Sequence, residues 1–237
     1  MRINKEHWLK TKPIAHRGLW GNGVIENSIS AYTLATQKGY PIEIDLYLTK
    51  DNNLVSFHDA TLERMTGEKG YIYDKTLKEI KELRLLNSDE KIPTLDEILS
   101  IAKGKSPLLI EIKHQPNSKV VDEIVAKLKN YQGEFAIQSF NPLYIDRVKK
   151  LAPEFIRGIL TTADKSIKEN FIKKYIVKNM PFNFIIKPDF ISCSFPDLPI
   201  KNKKKLPILA WTVTDEKTRE KLKGFADNII FENFIPN

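Results

Sequence analysis

Four short runs carry side chains able to do chemistry: His16-Arg17, Glu43-Ile44-Asp45, His58-Asp59 and Glu111-Ile112-Lys113. Glu43 and Asp45 stand two apart in an extended run, as do Glu111 and Lys113, so each pair projects from one face of a strand. Three carboxylates brought together cost free energy unless a cation or basic groups neutralise them. Glu43, Asp45 and Glu111 form an all-oxygen set suited to one hard divalent ion, Mg²⁺ or Ca²⁺. Such an ion acts as a Lewis acid on a phosphoryl oxygen. Arg17, able to grip two oxygens at once, and Lys113 would neutralise the remaining phosphate charge. His16 and His58, on separate loops, could supply a base and an acid. Taken singly, each group has a plainer reading: an exposed polar strand face, a structural histidine, or Lys113 paired with Glu111 or Glu43. Their joint order along the chain is what points to phosphoryl chemistry.

These groups need a scaffold that brings strand ends together. Short apolar runs alternate with amphipathic stretches, and strand sites fall at Ile14, Ile42, Leu108, Phe135, Ile156, Phe190, Ile208 and Ile229. Alternating βα units imply a parallel sheet, and eight of them imply a TIM-type (β/α)8 barrel, with a doubly wound open sheet as the runner-up. Helices are expected over Ser28–Lys38, Thr94–Ala102, Lys119–Lys129, Pro142–Leu151, Asp164–Lys178 and Asp215–Lys223. Leu54–Phe57 follows a turn at Asp51-Asn52-Asn53 and reads as the return arm of a hairpin. Residues 59–92 have no place in the repeat and form a small insertion with a helix over Asp74–Leu86. The chain stops six residues after Phe231, so no final helix follows the last strand. Residues 1–237 are therefore expected to make one barrel domain. Its chemistry belongs at the C-terminal ends of the strands, which is where the four runs fall.

The bulk properties narrow the class. A chain of 237 residues with 41% hydrophobic and 29% charged residues reads as a soluble globular protein. The polar N-terminus carries no signal-like core, and no apolar run spans a bilayer, so a cytoplasmic location is expected. The single cysteine, Cys193, excludes an internal disulfide and reads as a buried thiol. The net charge of +8 favours anionic partners. Its one dense run, Lys201–Lys205, reads as a solvated segment, and no basic stripe interleaved with aromatics marks a nucleic-acid groove.

The runs Ile14-Ala15-His16-Arg17-Gly18, Glu26-Asn27-Ser28, Glu43-Ile44-Asp45-Leu46 and Phe57-His58-Asp59, continued by Ala60 to Gly67, resemble the glycerophosphodiester phosphodiesterase family. So do Pro93 to Glu97, Ile110 to Lys113, Gln138-Ser139-Phe140 and Trp211-Thr212-Val213. The resemblance implies hydrolysis of glycerophosphodiesters to glycerol 3-phosphate and an alcohol. It implies metal ligation by Glu43, Asp45 and Glu111, with His16 as base and His58 as proton donor, or the reverse. It further implies phosphate contacts from Arg17 and Lys113, an aromatic wall from Trp211, and Glu26 either orienting Arg17 or bordering the metal. Two features depart from the family pattern: Phe231 replaces a small polar residue, which bears on the substrate pocket, and Glu232 replaces aspartate. Trp20, beside His16, is expected to cover the site. Two other functions fit the same residues: a phospholipase-type enzyme acting on lysophospholipids or lipids, and a barrel that binds phosphate ligands without catalysis.

Overall fold

The computed structural model describes residues 2–162, 183–200, 202 and 205–236. The expected helix Asp164–Lys178 and most of the lysine run 201–205 lie outside the described residues. Strand β1 (Ile14–Ala15) pairs with β2 (Ile42–Leu48). A short hairpin arm, β3 (Leu54–Ser56), folds back antiparallel on β2. Six parallel strands follow: β4 (Leu108–Ile112), β5 (Phe135–Ser139), β6 (Arg157–Thr161), β7 (Phe190–Ser194), β8 (Ile208–Val213) and β9 (Asn228–Phe231). The sheet closes because β9 pairs with β1, setting Ile14 opposite Ile230 and Ala15 opposite Phe231. Eight parallel strands thus form a closed barrel among the described residues, and the open-sheet alternative is set aside. No helix described here is long and apolar enough to cross a membrane.

Alternation decides which side chains enter the barrel. On β2 the aliphatics Ile42, Ile44, Leu46 and Leu48 join the outer core, beneath helices that include Leu95–Ala102 and Lys119–Leu128. Glu43 and Asp45 therefore point inward. Lower in the barrel, Ile14, Leu109, Ala136, Phe190, Leu209 and Ile230 form an apolar cluster with Ile3, Trp8 and Leu9. The short helix Trp8–Thr11 thus plugs the bottom, and the Asn228 amide clasps it by donating to the carbonyls of Leu9 (3.1 Å) and Lys12 (2.7 Å). Phe190 fits inside because Gly158 faces it; a Cβ there would lie 2.3 Å from the ring.

Among the described residues no helix follows β9. Its outer face is covered instead by Phe231, which meets Tyr40 edge-on at 5.1 Å and Phe234 at 5.7 Å. The expectation that Phe231 alters the substrate pocket is therefore corrected: its ring faces the outer core. The excursion after β3 has its own apolar cluster, with Tyr47, Val55 and Phe57 packed on Leu62, Met65, Ile72, Ile80 and Leu85. The expected helix Asp74–Leu86 shrinks to Leu77–Glu82, started by a Thr76–Glu79 capping box and ended by extended backbone at Leu83. Burying Leu85 in the cluster takes the chain out of helical geometry, and Leu86 adopts a positive φ of 47°.

Candidate active site

The inward residues of β2 and β4 meet at the catalytic end. Register sets Asp45 beside Glu111 and Glu111 beside Gln138. Oxygens of Glu43, Asp45 and Glu111 lie within 4.8 Å of one another, and all three residues are buried. Burial raises the pKa of Glu43 well above the carboxylate range, and the neighbouring charges of Asp45 and Glu111 add to this. Burial also raises Glu111, although Lys113 opposes the shift. Burial acts on Asp45 in the same direction, yet Lys113, His58 and Arg17 outweigh it and hold its carboxyl below the usual range. Asn27 donates to Asp45 Oδ2 at 3.0 Å and is itself gripped by Tyr32, whose hydroxyl donates to Asn27 Oδ1 at 2.7 Å. Asp45 Oδ1 accepts no well-formed hydrogen bond; Lys113 Nζ lies 3.3 Å away. A buried, oxygen-only donor set with one oxygen outside any hydrogen bond fits a hard divalent cation.

Cations ring this cluster. Lys113 Nζ lies 2.9 Å from Glu111 Oε1, so it pairs with Glu111 and Asp45 rather than with Glu43. Arg17 adopts φ 57°, which turns its backbone N–H onto Glu43 Oε2 at 3.1 Å. Its guanidinium donates to Glu26 Oε1 at 3.0 Å and lies 3.7 Å from Asp45. Gly18, at φ 84°, is required next: a Cβ would strike Ala31 at 2.8 Å. Glu26 sits behind Arg17 and does not line the cleft.

His16 and His58 both line the cleft with Arg17, Glu43, Glu111 and Lys113. Each imidazole is held through Nδ1 by a carboxylate: His16 by Glu232 at 2.6 Å and His58 by Asp59 at 2.6 Å. This arrangement places the proton on Nδ1 and leaves Nε2 for a substrate. Burial lowers the pKa of His58, with Lys113 and Arg17 pushing the same way and Asp45 opposing. Burial acts to raise Glu232, but its bond to His16 prevails and holds it low.

The opposite wall is apolar. Trp211 and Phe140 meet edge-on at 5.7 Å, joined by Leu160 and Ile230. Gln138 accepts from Ser192 Oγ at 2.6 Å. Trp20 stands beside the site, where its indole N–H donates to the carbonyl of His16 at 2.9 Å. Cys193 is buried, with its thiol pushed up to about 12 by burial, as suits a structural residue.

The glycerophosphoryl diester phosphodiesterase family model matches residues 16–235. The chain belongs to that family. Its members here include a glycerophosphodiester phosphodiesterase of Caldanaerobacter subterraneus, 34% identical over 95% of each chain. Among solved structures, an Oleispira antarctica phosphodiesterase in complex with the product sn-glycerol-3-phosphate superposes with a TM-score of 0.77. It is 25% identical and is matched over 93% of this chain and 92% of its own. A Parabacteroides distasonis glycerophosphodiester phosphodiesterase gives 0.76 at 25% identity, over 94% and 92%. The chain is thus an enzyme of the phosphoric diester hydrolase class, and the non-catalytic reading is set aside.

Sequence reasoning missed Glu232 as the partner of His16. The signal was present: β9 must close against β1, so the residue after β9 meets the residue after β1. It also missed the grip of Asn27 and Tyr32 on Asp45, and Arg64, which joins Asp59 to Glu26.

Proposed function

We propose that this enzyme hydrolyses glycerophosphodiesters, such as glycerophosphocholine or glycerophosphoethanolamine, to glycerol 3-phosphate and an alcohol. The convergence of three buried carboxylates beside two carboxylate-held imidazoles carries the reading. Glu43, Asp45 and Glu111 would hold one divalent cation, Mg²⁺ or Ca²⁺. When bound, it supplies Lewis acidity toward a phosphoryl oxygen. Arg17 and Lys113 neutralise the other phosphoryl charge, in a cleft where charge stabilisation counts for more than in water. His16, fixed by Glu232, takes the proton of the attacking oxygen through Nε2, whether that oxygen is a water's or the substrate's own 2-hydroxyl; in the second case water then opens the cyclic phosphate. His58, fixed by Asp59, delivers a proton to the departing alkoxide. Burial makes its imidazolium a ready donor, and an anionic diester alongside favours the charged form before transfer. Trp211 and Phe140 form an apolar wall for the substrate's carbon skeleton. The whole chain acts as one barrel domain, with residues 59–92 as an insertion on it.

The test is a panel of diesters assayed with and without chelator, reading glycerol 3-phosphate. Release should stop with chelator and return on adding Mg²⁺ or Ca²⁺; undiminished release in excess chelator would refute the metal role. A second reading, action on lysophospholipids, draws on Phe140 and Leu143, which stand 43% and 74% exposed just beyond β5. Comparable rates on acylated and deacylated diesters in the same panel would favour it.

A further inference from the structure

We propose that Arg64, in the excursion after β3, is a positioning residue that fixes His58 and Arg17 relative to each other. Its short helix, Glu63–Thr66, lies outside the βα repeat, and Arg64 itself does not line the cleft. Its guanidinium nevertheless reaches both sides of the site. Nε donates to Asp59 Oδ2 at 2.5 Å, and Nη2 donates to Glu26 Oε1 at 2.7 Å. Each acceptor also holds a cleft residue. The other oxygen of Asp59 accepts from His58 Nδ1 at 2.6 Å, and the same oxygen of Glu26 accepts from Arg17 Nη1 at 3.0 Å. A continuous chain of alternating charge thus runs His58, Asp59, Arg64, Glu26, Arg17, and ends 3.7 Å from Asp45.

A surface ion pair would be worth little. This one differs because Glu26 is buried and the planar fork of Arg64 serves two carboxylates from one rigid group. Without Arg64, Asp59 and Glu26 each keep one partner but lose the brace that sets their separation. The imidazole and the phosphate-binding guanidinium then lose their common frame. The helix does not need Arg64 for its place, since Leu62 and Met65 anchor it in the excursion's own core.

The inference rests on the roles given to His58 and Arg17 above, and the experiment separates the two. Arg64→Ala should lower kcat about 10- to 100-fold, the scale of an ångström-level misplacement, and raise KM through Arg17. Its melting temperature should stay close to that of the parent. The Arg64 side chain is 47% exposed, so its removal opens a gap to solvent that free guanidinium ion can enter. Millimolar guanidinium should restore much of the lost kcat in Arg64→Ala while leaving the parent unchanged, and Arg64→Lys should recover activity only in part. Unchanged kcat and KM would overturn the proposal, as would a loss that guanidinium does not relieve. If Arg64→Ala does not fold, Arg64→Gln is read by the same kcat and KM criterion. His58→Ala and Arg17→Ala are assayed alongside. Full turnover in those two would sink the underlying reading, whereas full turnover in the Arg64 variants alone sinks only this inference.

Discussion

The same strands build two unlike tiers inside the barrel. In the lower tier Leu109, Ala136, Phe190, Leu209 and Ile230 pack against Trp8 and Leu9 with no charge among them. Toward the C-terminal ends of the strands, Glu111 and Lys113 stand two and four residues past Leu109, with Asp45 beside Glu111. The lower tier gains free energy by removing apolar surface from water. The upper tier crowds like charges in a buried place and relies on Lys113 and Arg17 for partial compensation. The difference teaches that stability and activity are allotted to separate layers of one fold, and substitutions can set the layers against each other.

The largest effect is expected below. Phe190→Ala should destabilise the protein by about 3–5 kcal/mol, because Gly158 offers nothing to fill the hole. Urea unfolding reads the loss, and kcat per folded molecule should persist; a collapse of kcat with the fold intact would break the comparison. Above, the opposite pattern is expected. Glu43→Gln should cut kcat/KM about 10²- to 10³-fold, the usual scale for losing one preorganised charge contact. Without divalent ion its melting temperature should hold or rise, since burial and two like-charged neighbours already disfavour the Glu43 carboxylate. A melting temperature several degrees lower would show that the upper tier carries stability after all.

A smaller loss is expected at Glu232→Gln, up to about 10²-fold in kcat with KM little changed, because the amide holds the His16 ring in a less certain tautomer. Aspartate at 232 should recover part of this; a KM effect alone would move Glu232 from positioning to binding. The smallest effect is a displacement of pH limbs. A donor must be protonated to act, and the folded protein lowers the His58 pKa below its ordinary value of about 6.5. The limb of kcat/KM that falls as pH rises should therefore lie on the acid side of that value. In the complex the diester's negative charge favours the imidazolium, so the matching limb of kcat should lie at higher pH. Coincident limbs would remove His58 as donor.

Legibility followed range. The inward set of Glu43, Asp45, Glu111 and Lys113 could be read directly, since period-two alternation is a property of adjacent residues. The eight strands followed from the same pattern, with β6 displaced by one residue. What escaped depended on distant pairing. Glu232 finds His16 across 216 residues of chain. The plug of Trp8 and Leu9 needs a finished barrel to enter. The excursion helix broke because Leu85 is pulled into a local core, a tertiary demand that periodicity does not encode. Phe231 misled for a related reason: its ring packs on the outer face with Tyr40 and Phe234, contacts that only the folded barrel creates.

The seam between β1 and β9 has a bearing on biosynthesis. A ribosome delivers Ile14 and Ala15 long before their neighbours Ile230 and Phe231. Until then the growing polypeptide carries a curled sheet with unpaired margins, the kind of edge that recruits other chains. Chaperone shielding should be needed until those late residues leave the exit tunnel. Stalled nascent chains lacking residues 228–231 should aggregate more than stalled chains that include them; equal solubility of the two would mean that the margins protect themselves.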